Sequence, residues 1–160
     1  MLIRTIEPED ADVLRQLVIE LQVTEAHSNP YIVDGERMAD DYVRQLFMGD
    51  PEVPGKVMVA VDDNHQVVGY VAVQPHVPQE EVHEVAYDYA YVSDIVVLEH
   101  CRGQGVGRAL LIAAENYARR QGASILRLGV LAGNQDARGL YASCGYDERE
   151  ILLEKRLDES

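Results

Sequence analysis

Three glycines at alternate positions, Gly103, Gly105 and Gly107, sit where a β-branched run hands over to a helical pattern. The stretch reads Val96-Val97-Leu98-Glu99-His100-Cys101-Arg102-Gly103-Gln104-Gly105-Val106-Gly107-Arg108. Glycines in a strand-to-helix turn let the backbone bend tightly and aim unpaired N–H groups at one point. The dipole of the following helix adds positive potential there. The natural occupant is an anionic phosphate group, with Arg102 and Arg108 as supplementary charge; the plainer alternative is a tight turn. A dinucleotide fingerprint begun at Gly103 or Gly105 needs Gly or Ala where Arg108 or Leu110 stands. A P-loop begun at Gly103 needs Gly-Lys where Arg108-Ala109 stand. Both common nucleotide motifs fail.

The elements around this loop are read from periodicity. Leu2 to Ile6 alternates as a short strand, and Pro8-Glu9-Asp10 opens a helix on which Val13, Leu14, Leu17, Val18 and Leu21 recur at helical spacing. His27-Ser28-Asn29-Pro30 ends it. A second, acidic helix runs from Gly35 to Met48 with Met38, Tyr42, Val43, Leu46 and Phe47 as its apolar stripe. Val57 to Val61 and Val67 to Val73, separated by Asp62-Asp63-Asn64-His65, predict a hairpin. Pro75 to Glu84 reads as an acidic loop, and Tyr87 to Val97 as a central strand. Val106 to Arg120 is helical, with Gly122 as its stop. Ile125 to Leu131 reads as a strand, Gln135 to Cys144 as a short helix, and Ile151 to Leu157 as a closing strand. The order β-α-α-β-β, then β-α-β-α-β, predicts one mixed α/β domain over residues 1–160, an ordinary length for a single domain.

Charge narrows the function classes. With 28 acidic against 14 basic residues, the net charge is −14. That argues against a general nucleic-acid binder, which needs basic surface to replace phosphate counterions. Cys101 and Cys144 make no disulfide framework and match no zinc spacing, and His83-Glu84-Val85-Ala86-Tyr87 lacks the second histidine of a zincin helix, so no metal is expected. Acids appear by position 7 with no apolar core of a signal peptide, and no run approaches a bilayer span. The expectation is a soluble, cytoplasmic protein with no membrane partner.

The glycine loop resembles that of the GCN5-related N-acetyltransferase (GNAT) superfamily. Arg102-Gly103-Gln104-Gly105-Val106-Gly107 fits its pattern of Arg or Gln, two residues, Gly, one residue, then Gly or Ala. Ser93-Asp94-Ile95-Val96-Val97 resembles the family's central strand. Asn134-Gln135-Asp136-Ala137-Arg138-Gly139-Leu140-Tyr141-Ala142-Ser143-Cys144-Gly145-Tyr146 resembles its second motif. The resemblance implies a single mixed, mostly antiparallel central sheet flanked by helices, with acetyl-CoA as acyl donor and a homodimer as a further expectation. It also implies that Arg102, Gly103, Gln104, Gly105, Val106, Gly107 and Arg108 hold the pyrophosphate. Ile95, Val96 and Val97 would bind the pantetheine arm and acetyl carbonyl between two splayed strands, with Asn134 and Tyr141 lining the thioester end.

The implied reaction is direct attack of an amine on the thioester. Tyr141 is then the expected acid for the leaving thiolate; the alternative is a core tyrosine. Many relatives have Glu-Asp where Ser93-Asp94 stands here, and Ser93 cannot act as base. Asp94 can, directly or through water, but strand parity sets it opposite Ser93 unless a bulge resets the register; otherwise it is structural or orients substrate. Glu84 and Asp88 are further candidates. Tyr87, Tyr89, Tyr91 and Ser93 share one parity, so Tyr89, Tyr91 and Ser93 are expected to wall an amine pocket, unless the aromatics simply fill a core. From Val57 to Cys101 there is no Lys or Arg against eight acids, whereas nine of the 14 basic residues lie from Arg102 onward. That polarity suits a small cationic amine next to an anionic donor; the alternative is a solvated acidic surface. Two other functions remain open at this point: an acetyl-CoA-binding sensor without catalysis, and acetylation of a protein N-terminus or lysine.

Overall fold

Short β-branched runs build a five-stranded sheet whose strands lie side by side in chain order: β1 (Leu2–Thr5), β2 (Lys56–Val61), β3 (Val67–Pro78), β4 (Asp88–Val97) and β5 (Leu126–Leu128). The computed structural model describes residues 1–52 and 54–157. β1 to β4 pair antiparallel, and β5 joins β4 in parallel. The helices are α1 (Ala11–Ala26), preceded by a 3-10 turn at Pro8–Asp10, then α2 (Gly35–Met48), α3 (Val106–Arg120) and α4 (Gln135–Ser143). The mixed, mostly antiparallel sheet between helices agrees with the fold expected from the sequence.

Two apolar layers hold the sheet. On one face Leu14, Leu17 and Val18 of α1 and Ala39 and Val43 of α2 meet Val59, Tyr70, Ala72 and Val96. On the other, Val106, Leu110 and Ala114 of α3 meet Met58, Val71, Val73 and Val92. Each fully buried Leu or Val contributes roughly 1.5–3 kcal/mol. An ion pair fixes the approach to α1: Arg4 donates to both carboxylate oxygens of the buried Asp10, at 2.7 and 2.9 Å, and the Glu7 amide donates to the same carboxylate at 2.8 Å. Among the described residues, no helix is long and apolar enough to cross a membrane.

Three expectations change. β3 continues through Pro75 to Pro78, so the loop begins only at residue 79. Pro75 fits there because the register shifts between Gln74 and Val77, a break in the ladder that spares a missing N–H, and Pro78 is the last residue of the strand. β5 is limited to Leu126–Leu128, and the chain leaves the sheet at Gly129. The closing strand at Ile151–Leu157 is absent: that run has no regular structure, and Ile151, Leu152, Leu153 and Leu157 are exposed. Its three consecutive apolar residues would load both faces of a strand, and the three-residue β5 is too short an edge for a seven-residue partner.

Candidate active site

The register of β4 creates the site. Ala72 of β3 faces Asp94, but its neighbour Val73 faces Val92, so Ser93 is an extra residue without an opposite number. This bulge resets the alternation. Val92 points into the α3 layer, whereas Asp94 turns to the α1/α2 face, where the Tyr42 hydroxyl donates to its Oδ2 at 2.6 Å and the Tyr70 hydroxyl at 3.2 Å. Ser93 itself is exposed, its hydroxyl 3.5 Å from the Ala72 carbonyl. The unbroken parity of Tyr91 and Ser93 therefore ends at the bulge.

β4 and β5 pair only from Ala90 to Val92 and then diverge. The divergence opens a slot of about 80 Å³ lined by Leu21 and Glu25 of α1, Val92 to Ile95 of β4, Leu128 to Leu131, and Asn134, Ala137 and Tyr141. The Leu98 amide donates to the Val68 carbonyl at 2.9 Å. By antiparallel alternation, the backbone groups of Val96 also face β3, and those of Ile95 and Val97 face the opposite edge, left open where β5 diverges, with Ile95 lining the slot. The Val97 carbonyl is taken by Arg102 Nε at 3.0 Å, which leaves the Val97 and Ile95 amides as donors on that side. Val96 offers the slot neither backbone groups, which face β3, nor a side chain, which lies in the core.

The glycine loop lies beyond Val97. Gly103 and Gly105 have φ of +72° and +84°, the left-handed conformation that disfavours any side chain, and Gly105 caps the N-terminus of α3. A Cβ on Gly107 would stand 2.9 Å from Leu140 of α4. Among the described residues, the amides of Gly103 to Arg108 have no protein acceptor; the first loop-to-helix bond is Ala109 N–H to the Gly105 carbonyl. The arginines are less committed to an anion than the sequence suggests. Arg102 is turned toward the Val97 carbonyl and the Thr24 hydroxyl, and Arg108 donates to the Ser143 hydroxyl at 2.9 Å. Gln104 donates to the His100 carbonyl, and the Val106 side chain is buried. A second, wider groove of about 420 Å³ runs between the last turns of α1, Arg102 and the start of α4, and shares Asn134 with the slot. Asn134 caps α4 by accepting from the Ala137 amide at 3.1 Å.

Tyr141 is buried against the slot, its ring 6.1 Å from that of Tyr146. Among the described residues, its hydroxyl has no hydrogen-bond partner. Burial first, and the facing Glu25 second, push the phenol up to about 12. Asp94 lies above the ordinary carboxylate range because its burial outweighs the two phenol donors. Glu25 is also raised, by burial and then by the charge of Asp94.

Other candidates lie elsewhere. Arg127 of β5 lies over the rings of Tyr87 and Tyr89, its guanidinium carbon 4.2 Å from the Tyr89 ring centre and 5.2 Å from that of Tyr87. The face Tyr89 would offer to a substrate cation is thus already used by an internal one. Tyr91 is half-buried, its hydroxyl near Gly129. Glu84 accepts from Tyr87, Gln79 and Arg149, and Asp88 lies 3.8 Å from His76, so neither lines the slot. Glu25 is the slot carboxylate missing from the residues singled out in the sequence. Its signal was present: it continues the buried stripe of Leu14, Leu17, Val18 and Leu21.

A model of the acetyltransferase (GNAT) family matches residues 20–146. The Bacillus subtilis protein called uncharacterized N-acetyltransferase YycN is 33% identical over 93 residues, 57% of this chain and 54% of that one, so the match spans about half of that relative. The aminoalkylphosphonate N-acetyltransferase of Salmonella typhimurium is 28% identical over 149 residues, 93% of this chain and 86% of that one. Among solved structures, a mutant of the BH1408 protein from Bacillus halodurans superposes with a TM-score of 0.79 at 22% identity, covering 98% of this chain and 99% of that one. That last likeness concerns the fold.

Proposed function

This chain belongs to the acetyltransferase (GNAT) family, and from that premise we propose that it transfers the acetyl group of acetyl-CoA to a primary amine, by direct attack in a ternary complex. The observation that carries the reading is the splay of β4 from β5, which joins a slot containing Tyr141 and two carboxylates to a loop of amides without acceptors. The residues suit acetyl-CoA. The Gly103 to Arg108 amides and the α3 dipole favour a pyrophosphate; Arg102 and Arg108 would reach it only by giving up their bonds to Val97, Thr24 and Ser143. Ile95 and Val97 offer strand-like backbone partners to the pantetheine amides, and Asn134 and Tyr141 close the far end. The bound donor supplies an activated acyl carbon.

This chain's own groups do the rest. The amide of Val97, on the edge turned away from β3, serves as donor to the developing oxyanion. Tyr141, kept protonated by burial, gives its proton to the departing sulfur. A lysine-like amine of pKa ~10.4 is mostly protonated at neutral pH, so freeing its lone pair costs about 4–5 kcal/mol before chemistry. A base is therefore required, and both slot carboxylates, Asp94 and Glu25, are placed to deal with the cation.

The absence of Lys and Arg from Val57 to Cys101 supports a small cationic acceptor. The 28% identity to an aminoalkylphosphonate N-acetyltransferase favours a second reading, an amine carrying an anionic tail. The test is release of CoA thiol from acetyl-CoA with spermidine, kanamycin, 2-aminoethylphosphonate and a lysine peptide as acceptors. Spermidine or kanamycin turnover upholds the first reading, 2-aminoethylphosphonate the second, and the peptide would make it a protein acetyltransferase. Calorimetric binding of acetyl-CoA with no release for any acceptor would make it a sensor without catalysis. A homodimer and a cytoplasmic location belong to the same proposal, to be checked by light scattering and by fractionation.

A further inference from the structure

The two carboxylates of the slot are held differently. Oδ2 of Asp94 accepts from Tyr42 on α2 and from Tyr70 on β3, and Tyr70 is fully buried. Glu25, in the last turn of α1, lines the same slot, and among the described residues no donor reaches its carboxylate. Its backbone carbonyl is used, accepting from Ser28 and Asn29, but its side chain is not. The titratable groups facing it are Asp94 from β4, Tyr42 from α2, Tyr70 from β3 and Tyr141 from α4. No cation is among them. A carboxylate with free lone pairs, facing another negative charge inside a half-dry slot, holds a proton well; one clamped by two phenols is fixed in place.

Resting on the acetyltransferase reading above, we propose that Glu25 is the general base: it takes a proton from the acceptor's ammonium, while Asp94 stays ionised and holds the positive charge until transfer. The step balances without a further reactant. R–NH3⁺ gives one proton to Glu25 and becomes R–NH2. The nitrogen lone pair forms the C–N bond to the acetyl carbon as the C–S bond breaks. The sulfur takes the Tyr141 proton, the nitrogen's surplus proton restores Tyr141, and Glu25 returns its own proton to water. The net change is one amide, one free thiol and one proton released. Burial and the Asp94 charge both raise the proton affinity of Glu25 above that of an ordinary glutamate, in the direction a base working near neutrality needs.

The experiment compares wild type, Glu25→Gln and Glu25→Asp in thiol release with saturating acetyl-CoA and the best of the four acceptors above, across acid and neutral pH. CoA affinity is measured by calorimetry. Glu25→Gln should lower kcat roughly 10²- to 10⁴-fold and remove the acidic limb of the pH profile, with CoA affinity unchanged. Glu25→Asp should keep the limb at an intermediate rate. An acidic limb surviving in Glu25→Gln, or a raised KM with kcat unchanged, overturns the assignment and leaves the acetyltransferase reading standing. Failure of wild type to turn over any acceptor overturns both.

Discussion

Replacing Asp94 separates its packing role from its charge. In Asp94→Ala, the hydroxyls of Tyr42 and Tyr70 both lose their acceptor. Tyr70 has no exposure at all, so water cannot replace the lost bond there; leaving such a donor unpaired costs about 1–3 kcal/mol. With a smaller loss at the half-buried Tyr42, the total is roughly 2–4 kcal/mol. In a chain of 160 residues that is a drop in Tm of about 6–12 °C. Asp94→Asn keeps a carbonyl acceptor for both phenols and removes the buried charge, so it should melt within a few degrees of wild type at neutral pH.

The pH dependence has a definite sign. The carboxyl of Asp94 is raised above its ordinary 3.8 in the folded protein, chiefly by burial. Its contribution to stability is therefore fully present below the unfolded value and is lost as pH rises through the folded one. Wild type should lose stability over that window relative to Asp94→Asn, so the difference in Tm moves in favour of Asn as pH rises from the acid side. Thermal melts by circular dichroism over that range provide the readout. If Asp94→Ala and Asp94→Asn melt alike, the phenol clamp contributes nothing and the reasoning fails.

Two further outcomes follow from the site. Tyr141→Phe should lower kcat about 10²-fold or more while CoA affinity in calorimetry barely changes; since the phenol is held at about 12, wild type should show no alkaline loss of kcat from this group at ordinary assay pH. An unchanged kcat in the variant would remove Tyr141 from the acid role. Gly105→Ala forces a side chain into φ +84° at a cost of about 1–2 kcal/mol, and moves the amides proposed to hold the pyrophosphate. Weaker CoA binding together with a modest Tm loss is expected, and retained affinity would mean that the loop amides do not carry the anion.

The legible parts of this chain are those written in local periodicity. The stripe Leu14-Leu17-Val18, the inward-facing Val43 of α2 and the turn-forming glycines act within a turn or two of their own positions, so sequence spacing suffices. Ala39, buried beside Val43, is not on the expected α2 stripe, whose Phe47 is instead exposed. The bulge at Ser93 does not. Tyr87-Tyr89-Tyr91-Ser93 alternates without interruption in the sequence, and only tertiary demands break it: Val92 is needed by the α3 layer, and Asp94 by Tyr42 and Tyr70 on the opposite face. Arg127 escaped for the same reason, since its partners Tyr87 and Tyr89 lie some forty residues away, just before and within β4. Ile151 to Leu157 misled because apolar content resembles a strand even where no edge is long enough to receive it. Glu25 was readable in principle, as a charge on a buried stripe.

The acidic middle of the chain acquires a physical sense from this geometry. The loop proposed for the donor must attract an anion, while the proposed base, Glu25 in the last turn of α1, must keep a high proton affinity. A lysine within ~10 Å of Glu25 would lower that affinity by about 1.7 kcal/mol at an effective dielectric of about 20, more than tenfold. Gripping the anion with backbone amides avoids that penalty, because dipoles act within a turn and fall off faster than a charge. Among the described residues no Lys or Arg lines the slot, and the arginine that follows the Val57 to Cys101 stretch, Arg102, is held by the Val97 carbonyl and Thr24. Excluding Lys and Arg from Val57 to Cys101 thus serves the base at least as directly as it serves a cationic acceptor. The acidic stretch would accordingly be as useful to an enzyme acting on an aminoalkylphosphonate, so the kinetics of the acceptors, not the charge pattern, must decide between them.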